Sequence, residues 1–249
     1  MSRSDVEVAA LAARAAADVL LPLLQAGELH DEALGDAGDA AAQAAIAAVL
    51  AEHRPDDAVF SEEAVDDPAR LTADRLWIVD PLDGTREYRS GDRHDWAVHV
   101  ALWERSAGDL TAAAVGLPAL GEVVTTDPAP VVPPVPDGPL RVAVSRSRPP
   151  AQARAAADAL GAVLVPLGSA GYKTLAVVRG EADAYVHAGG MYQWDSAAPV
   201  AVARAAGLFA SRLDGSPLQY AVAEAWLPDL VVCRPELADR VLAAVRAGA

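Results

Sequence analysis

The segment D-P-L-D-G-T, residues 80–85, constrains the fold of this chain more than any other part of the sequence. Residues 76–79 before it are apolar and predict a short buried strand. The proline fixes its own φ and the glycine admits conformations closed to other residues, so the chain turns as soon as the strand ends. This turn can aim Asp80 and Asp83 at one point and leave the Leu82 carbonyl free. An acidic, solvated turn is the alternative interpretation of the segment taken alone.

Carboxylates elsewhere in the chain can join this turn. Glu62 follows a second short apolar strand, at 58–60, and can reach the same cation as Asp80 if the two strands are neighbours. Asp195 opens a helix within W-D-S-A-A-P, where it is either a simple N-cap or a ligand that completes a metal site. A helix-capping role is equally open to Asp39, at the start of the second predicted helix. Mg²⁺ is usually held by a few carboxylates together with substrate phosphate.

Charge and composition exclude several classes of protein. A net charge of −15 leaves nothing to neutralise a run of phosphates, which argues against a nucleic acid polymer as partner. A small phosphorylated substrate stays compatible if metal ions supply positive charge. No stretch approaches the roughly 20 consecutive apolar residues that span a bilayer. The lone Cys233 can form no internal disulfide and the N-terminus lacks a signal pattern, so we expect a cytoplasmic protein with no membrane partner.

A proline-rich segment at 127–139 divides the chain, because its six prolines suit neither a helix nor a central strand. We place an α+β half at residues 1–136 and an α/β half at residues 137–249. The first half is predicted to contain helices at 6–24 and 37–52, a polar loop at 27–38, and strands at 58–60, 76–79, 95–103, 110–117 and 121–126. The second half is predicted to contain strands at 140–144, 163–166 and 184–187, a helix beginning near 150, and helices at 169–179, 196–206 and 235–247.

The histidines give no sign of a metal site. No two of the five histidines have the spacing of paired metal ligands. Solvent-facing or hydrogen-bonded core positions are predicted for all of them: His30, His53, His94, His99 and His187. His187 precedes a glycine-rich stretch that runs into the W-D motif, and a place in the wall of a substrate pocket is the alternative for this one.

The order of the motifs resembles that of the inositol monophosphatase superfamily, a group of Mg²⁺-dependent, lithium-sensitive small phosphatases. The resemblance rests on E-E at 62–63, D-P-L-D-G-T at 80–85 and W-D-S-A-A at 194–198, and it covers essentially the whole chain. R-E-Y at 86–88 and S-R-S at 145–147 are closer to the CysQ-type 3′-phosphoadenosine 5′-phosphate (PAP) phosphatases. The resemblance implies a layered α-β-α-β-α sandwich, with α+β and α/β halves that meet at the site.

The resemblance also implies roles for single residues. Two or three Mg²⁺ ions would be held by Glu62, Asp80, the Leu82 carbonyl, Asp83 and Asp195. Thr85, hydrogen-bonded to Asp39, would orient and help deprotonate the metal-activated water that attacks phosphorus. No other cofactor is implied, and no Ser, Cys or His nucleophile is needed, because phosphoryl transfer asks little covalent work of a protein.

Donors for the substrate are predicted beyond the turn. The substrate-binding candidates are Gly84, Ser145, Arg146, Gly168, Ser169 and Lys173. Lys173 is the only lysine of the chain, and an ordinary exposed helix position is the alternative for it. The spacing from the G-S pair to Lys173 is one residue longer than in the family's G-S-S-L-K form. The threonine that the family carries ahead of Asp39 is also absent.

The predicted function is hydrolysis of the 3′-phosphate of PAP to AMP and phosphate, a step of sulfur metabolism. An inositol-1-phosphate or fructose-1,6-bisphosphate phosphatase of the same superfamily is one alternative. A catalytically silent metal-binding protein on this scaffold is another, and the intact carboxylates and Thr85 argue against it. Family members are often dimers, so a homodimer stays open.

Overall fold

Two mixed sheets form the framework of the computed structural model, which describes residues 3–135 and 137–247. The strands of the first sheet are β1 (Ala58–Ser61), β2 (Arg75–Asp83), β3 (Ala97–Glu104), β4 (Asp109–Leu117) and β5 (Glu122–Thr125). They lie in sequence order, with β1 parallel to β2 and all other neighbours antiparallel.

The second sheet has a more complex order. Its strands are β6 (Arg141–Ser145), β7 (Val163–Leu167), β8 (Ala184–Tyr192), β9 (Phe209–Ser211) and β10 (Trp226–Cys233). The order across the sheet is β7-β6-β8-β10-β9. β6 is parallel to both β7 and β8, whereas β10 is antiparallel to both β8 and β9.

Helices cover and separate the sheets. They are α1 (Asp5–Ala26), α2 (Asp31–His53), α3 (Thr85–Arg89), α4 (Ala151–Leu160), α5 (Ala170–Val178), α6 (Gln193–Ala205) and α7 (Ala238–Ala247). α1 and α2 pack outside the first sheet, α5 and α6 pack between the sheets, and α4 and α7 pack against each other outside the second sheet. This α-β-α-β-α layering confirms the predicted fold class. Among the described helices, none is long and apolar enough to cross a bilayer.

Side-chain alternation on β2 builds two of the cores. Trp77 and Val79 pack with α1 and α2, whereas Leu76 and Ile78 belong to the core between the sheets. The central core also takes residues from the second half, such as Leu230. The two predicted halves therefore share apolar packing. The proposed boundary between residues 136 and 137 stays a prediction, and residue 136 itself lies outside the described residues.

The predicted polar loop at 27–38 is wrong for most of its length, because α2 begins at Asp31. Gly35 and Gly38 lie inside this helix, where glycine permits a close approach. A Cβ added to Gly38 would lie 2.8 Å from the Tyr88 ring and 3.1 Å from Leu82. The glycines that indicated a loop are thus needed to pack the helix against the turn at 80–85.

Other predicted elements in the second half differ from the structure. α6 begins at Gln193 and not at 196. β9 and β10 were absent from the prediction, although β10 lies between β8 and β9. β10 contains a proline, Pro228, near the register irregularity between Leu227 and Asp229. That interruption removes the continuous apolar run by which a central strand is recognised.

Candidate active site

Three carboxylates meet where the two halves join. Asp80 and Asp83 lie at the end of β2, and Asp195 lies in the first turn of α6. One oxygen atom from each lies within 4.8 Å of the others. In a regular strand, residues three apart face opposite sides, but the ladder to β3 shifts register between Asp80 and Asp83. The shift brings both carboxylates to one side.

Asp80 is the most buried of the three, with no exposed surface. Its Oδ1 accepts a hydrogen bond from the Leu82 N–H at 3.1 Å. Its Oδ2 is buried and accepts no hydrogen bond from any described residue. Burial, and then the charges of Asp83 and other nearby carboxylates, raise the pKa of Asp80 well above its usual range.

Asp83 and Asp195 each use one oxygen to hold the protein backbone. Asp83 Oδ2 accepts from the Ser169 hydroxyl at 2.5 Å and from the Gly171 N–H at 2.7 Å. Asp195 Oδ2 accepts from the Tyr192 N–H at 2.5 Å. Because α6 starts at Gln193, Asp195 is the third helical residue, and the predicted simple N-cap position is wrong. Both carboxylates keep their second oxygen free of these backbone and hydroxyl contacts.

Burial and mutual repulsion also shift the outer carboxylates. Loss of hydration, with the charge of Asp83 next, raises the pKa of Asp195 to about 8. Loss of hydration at the Glu62 carboxyl, with the charges of Asp39 and Asp83 next, raises its pKa to about 7, although the side chain as a whole is exposed. Glu62 lies outside the set of three. Several acids that resist ionisation together mark a place where a cation would be stabilised.

Asp39 and Thr85 lie on helices beside this cluster. Asp39 is the ninth residue of α2, so the predicted helix-capping alternative is wrong. Burial, followed by the charge of Glu63, raises its pKa to about 7. The Thr85 hydroxyl donates to the Leu82 carbonyl at 3.1 Å. Among the hydrogen bonds of residues 3–135 and 137–247, none joins Thr85 to Asp39, which differs from the bond that the resemblance implies.

A cleft of about 470 Å³ opens beside the carboxylates. Glu62 and Thr85 line it at the carboxylate side. All of the predicted substrate-binding residues line it as well: Gly84, Ser145, Arg146, Gly168, Ser169 and Lys173. The structure thus brings the predicted set together, although its members come from both halves of the chain.

Lys173 is buried at the wall of this cleft, only 5 % exposed, so the alternative of an exposed helix position is wrong. Its ammonium donates to the Gly168 carbonyl at 3.1 Å and lies 5.3 Å from the centre of the Tyr185 ring. Burial lowers the pKa of Lys173 to about 8, against the opposing attraction of carboxylates led by Asp83. Lys173 therefore lies at the site although its spacing from the G-S pair is one residue longer than in the family's form.

Arg146 and Ser169 are held by protein groups. Arg146 forms ion pairs with Asp95 and, at 3.3 Å, with Glu87. Asp95 also accepts the Gly168 N–H at 2.6 Å. The Ser169 hydroxyl donates to Asp83. These contacts join α3, the segment before β3 and the end of β2 to the second half at the cleft.

The donor set fits a divalent cation. It consists of oxygen atoms only, three of its acids lie together, and the buried Asp80 Oδ2 has no donor among the described residues. Hard cations such as Mg²⁺ and Ca²⁺ prefer such ligands, and their charge offsets the repulsion between buried carboxylates.

Comparisons with known proteins agree with this geometry. Residues 3–248 match the inositol monophosphatase family. The chain belongs to this family. A Mycobacterium bovis protein named 3′-phosphoadenosine 5′-phosphate phosphatase is 52% identical over 221 residues, which cover 85% of this chain and 82% of that protein. A Mycobacterium leprae protein of the same name is 48% identical over 255 aligned residues, which cover 98% and 94%. A solved CysQ structure from Bacteroides thetaiotaomicron covers 92% of this chain and 97% of its own, with a TM-score of 0.79 and 24% identity.

Membership of the inositol monophosphatase family confirms the predicted recognition, and the relatives' names confirm its CysQ-type branch. Sequence reasoning nevertheless missed His99, which is fully buried. Its Nε2 lies 3.3 Å from Asp83 Oδ2, and its Nδ1 lies 3.1 Å from the Trp194 carbonyl. No local pattern in the sequence marks His99, because the groups around its ring come from parts of the chain far from residue 99. His187 is absent from the cleft lining and bonds the Gly190 carbonyl instead, at 2.8 Å.

Proposed function

We propose that this chain is a Mg²⁺-dependent phosphatase that removes the 3′-phosphate of PAP and releases AMP and phosphate. The observation that carries the proposal is an oxygen-only cluster of three acids beside a cleft lined by cationic side chains. The names of relatives near 50% identity support PAP as the substrate.

The metal would be held by residues of both halves. Asp80, Asp83 and Asp195 would bind it, and Glu62 with the Leu82 carbonyl would complete the set for two or three ions. A Mg²⁺ ion held there would stabilise the negative charge that develops on the phosphoryl group during the reaction. The partners of Asp83 and Asp195 fix one oxygen of each, so the remaining oxygens are held in place before a metal arrives.

The attacking water would be handled by Thr85 and Asp39. Thr85 lines the cleft and would orient the water. Asp39 would accept its proton, and a pKa of about 7 suits a general base near neutral pH. The water oxygen would bond to phosphorus as the bond from phosphorus to O3′ breaks. O3′ would take up a proton from solvent in the open cleft and leave as a hydroxyl of AMP, and Asp39 would return its proton to solvent. The protein positions these groups and supplies no covalent nucleophile.

The cationic wall would favour a substrate with a second phosphate. Lys173 lies in this wall, and Arg86 and Arg148 also line the cleft. PAP carries a 5′-phosphate in addition to the one that is removed, whereas inositol-1-phosphate has a single phosphate. As part of the same proposal the reaction takes place in the cytoplasm, where a buried, free thiol such as that of Cys233 stays reduced.

Phosphate release from PAP, inositol-1-phosphate and fructose-1,6-bisphosphate, each with and without Mg²⁺, tests the proposal. We expect release to need Mg²⁺ and kcat/KM to favour PAP by at least about a hundredfold, which corresponds to about 2.7 kcal/mol. Comparable values on all three substrates would refute the nucleotide specificity and leave the metal chemistry. Release from PAP that is unchanged without Mg²⁺ would refute the metal assignment.

A further inference from the structure

His99 lies at the centre of the site, yet the proposed reaction gives it no task. It is fully buried on β3 and pairs with Asp80 across the ladder to β2. Its imidazole lies between groups of three elements: Asp83 at the end of β2, Gly171 in α5 and Trp194 in α6. These elements come from both halves of the chain.

One side of the ring holds the start of α6. Nδ1 lies 3.1 Å from the Trp194 carbonyl, and because a carbonyl only accepts, Nδ1 carries the hydrogen and donates it. Trp194 directly precedes Asp195. The hydrogen bond therefore fixes the backbone that carries the second half's carboxylate.

The other side of the ring faces Asp83 and the start of α5. Nε2 lies 3.3 Å from Asp83 Oδ2. A Cβ added to Gly171 would lie 1.9 Å from Nε2, so glycine is required for α5 to approach the ring. This approach lets the Gly171 N–H reach Asp83 Oδ2 at 2.7 Å. The start of α5 therefore packs directly on the imidazole, and Asp83 is held there by the Gly171 N–H and not by Nε2, which has no hydrogen-bond partner among the described residues.

We propose that His99 is a positioning residue for the metal site: it holds the start of α6, and with it Asp195, beside Asp83 across the junction of the halves. The inference rests on the metal site proposed above. An apolar side chain could fill the same volume but would remove the hydrogen bond to the Trp194 carbonyl. Groups that orient metal ligands typically change metal affinity by about 10- to 100-fold when they are removed.

Binding of Mn²⁺, followed by electron paramagnetic resonance of the free ion, tests this role without turnover. His99→Asn keeps a donor at the position of Nδ1, and His99→Leu keeps only the volume. We expect His99→Asn to bind Mn²⁺ within about threefold of the wild type, and His99→Leu to bind about 10- to 100-fold more weakly. The matched control is His30→Asn, at an exposed histidine, which should bind as the wild type does.

Circular dichroism and thermal unfolding report the fold of each variant. Should His99→Leu fail to fold, His99→Gln replaces it, because its longer amide misses the Nδ1 position and is expected to weaken binding by about tenfold or more. A folded His99→Leu or His99→Gln that binds Mn²⁺ as tightly as His99→Asn would overturn the inference. A wild type that binds no Mn²⁺ would overturn the metal site itself, and the inference with it.

Discussion

The two ends of the candidate site hold their charges in opposite ways. The carboxylate end consists of Asp80, Asp83 and Asp195, and the cation end consists of Glu87, Asp95, Arg146 and Lys173. At the carboxylate end, Asp80 Oδ2 is buried without a donor among the described residues. At the cation end, Arg146 contacts two carboxylates, and Asp95 accepts a backbone N–H as well. The carboxylate end has a buried oxygen without a protein donor, so a positively charged ligand is needed there. At the cation end Arg146 and its carboxylates are paired with each other, and these pairs join the two halves.

Asp80→Asn changes the carboxylate end most. The amide keeps the bond from the Leu82 N–H through its oxygen and removes one buried negative charge. We expect turnover of PAP to fall by at least about a thousandfold, since a metal ion supplies several kcal/mol of transition-state stabilisation. The metal-free variant should unfold at the same temperature as the wild type or higher, because repulsion between carboxylates is relieved.

The matched control for this change is Asp158→Asn, at an exposed position of α4. This variant should keep both turnover and the unfolding temperature. Substantial Mg²⁺-dependent turnover by Asp80→Asn would show that the metal site is misplaced.

Asp95→Asn makes the same chemical change at the cation end, and we expect the opposite sign in stability. One oxygen, Oδ2, accepts both the Gly168 N–H and Arg146, so the amide oxygen can take its place but brings no negative charge to the ion pair with Arg146. The free energy of unfolding should therefore fall by about 1–3 kcal/mol. Mn²⁺ affinity should change by less than about threefold, because the carboxylate end stays intact. Chemical denaturation measures the free energy of unfolding, and Mn²⁺ titration measures the affinity. A tenfold loss of affinity would contradict the separation of the two ends.

Metal affinity should rise with pH between about 6 and 9. Among the proposed ligands, burial and repulsion raise the pKa of Glu62 to about 7 and that of Asp195 to about 8. Ligands must lose their protons to bind, so affinity should increase by about tenfold per pH unit for each proton released. Mn²⁺ titrations across this range measure the slope, and a flat profile would contradict these shifts.

The same groups give the metal-free protein the opposite trend. Their pKa values are higher in the folded than in the unfolded chain, where they are near 4. Their contribution to the free energy of unfolding is therefore fully present below about pH 4 and is lost as pH rises through 7 to 8. Thermal unfolding with and without Mg²⁺ should show the two curves separating as pH increases.

Lys173→Met should have the smallest effect. It removes a buried ammonium from the cleft wall while keeping a long apolar side chain. We expect KM for PAP to rise about fivefold, in line with roughly 1 kcal/mol for one charge beside a solvent-open cleft, with Mn²⁺ affinity unchanged. Arg154→Met, on the exposed face of α4, is the control. A lower KM in Lys173→Met would contradict a role for Lys173 in binding an anionic substrate.

The strand-and-turn part of the site could be predicted because its signals are local. The apolar run before Asp80, the turn through Gly84 and the short strand that precedes Glu62 are each carried by a few adjacent residues. The alternating residues of β3 likewise place Val98 and Val100 on the face toward α1 and α2, as the pattern indicates.

What could not be predicted depends on distant contacts. Gly35 and Gly38 indicate a loop when the sequence is taken alone. They lie in a helix because side chains of the 80–85 turn and of α3 pack so closely against them that no Cβ would fit. His99 was assigned to an ordinary core or surface position, because no local pattern shows that Trp194 and Gly171 surround its ring. The ion pairs of Arg146 join residues more than fifty positions apart, so its availability to substrate was overestimated.

Crystals soaked in Mn²⁺, with an anomalous difference map, test most directly the claim that the two halves share one metal site. For a shared site we expect a peak about 2 Å from oxygens of Asp80, Asp83 and Asp195 in the wild type. In Asp195→Asn that peak should weaken or disappear. A peak away from these residues, or one that is undiminished in Asp195→Asn, would contradict a site completed by the second half.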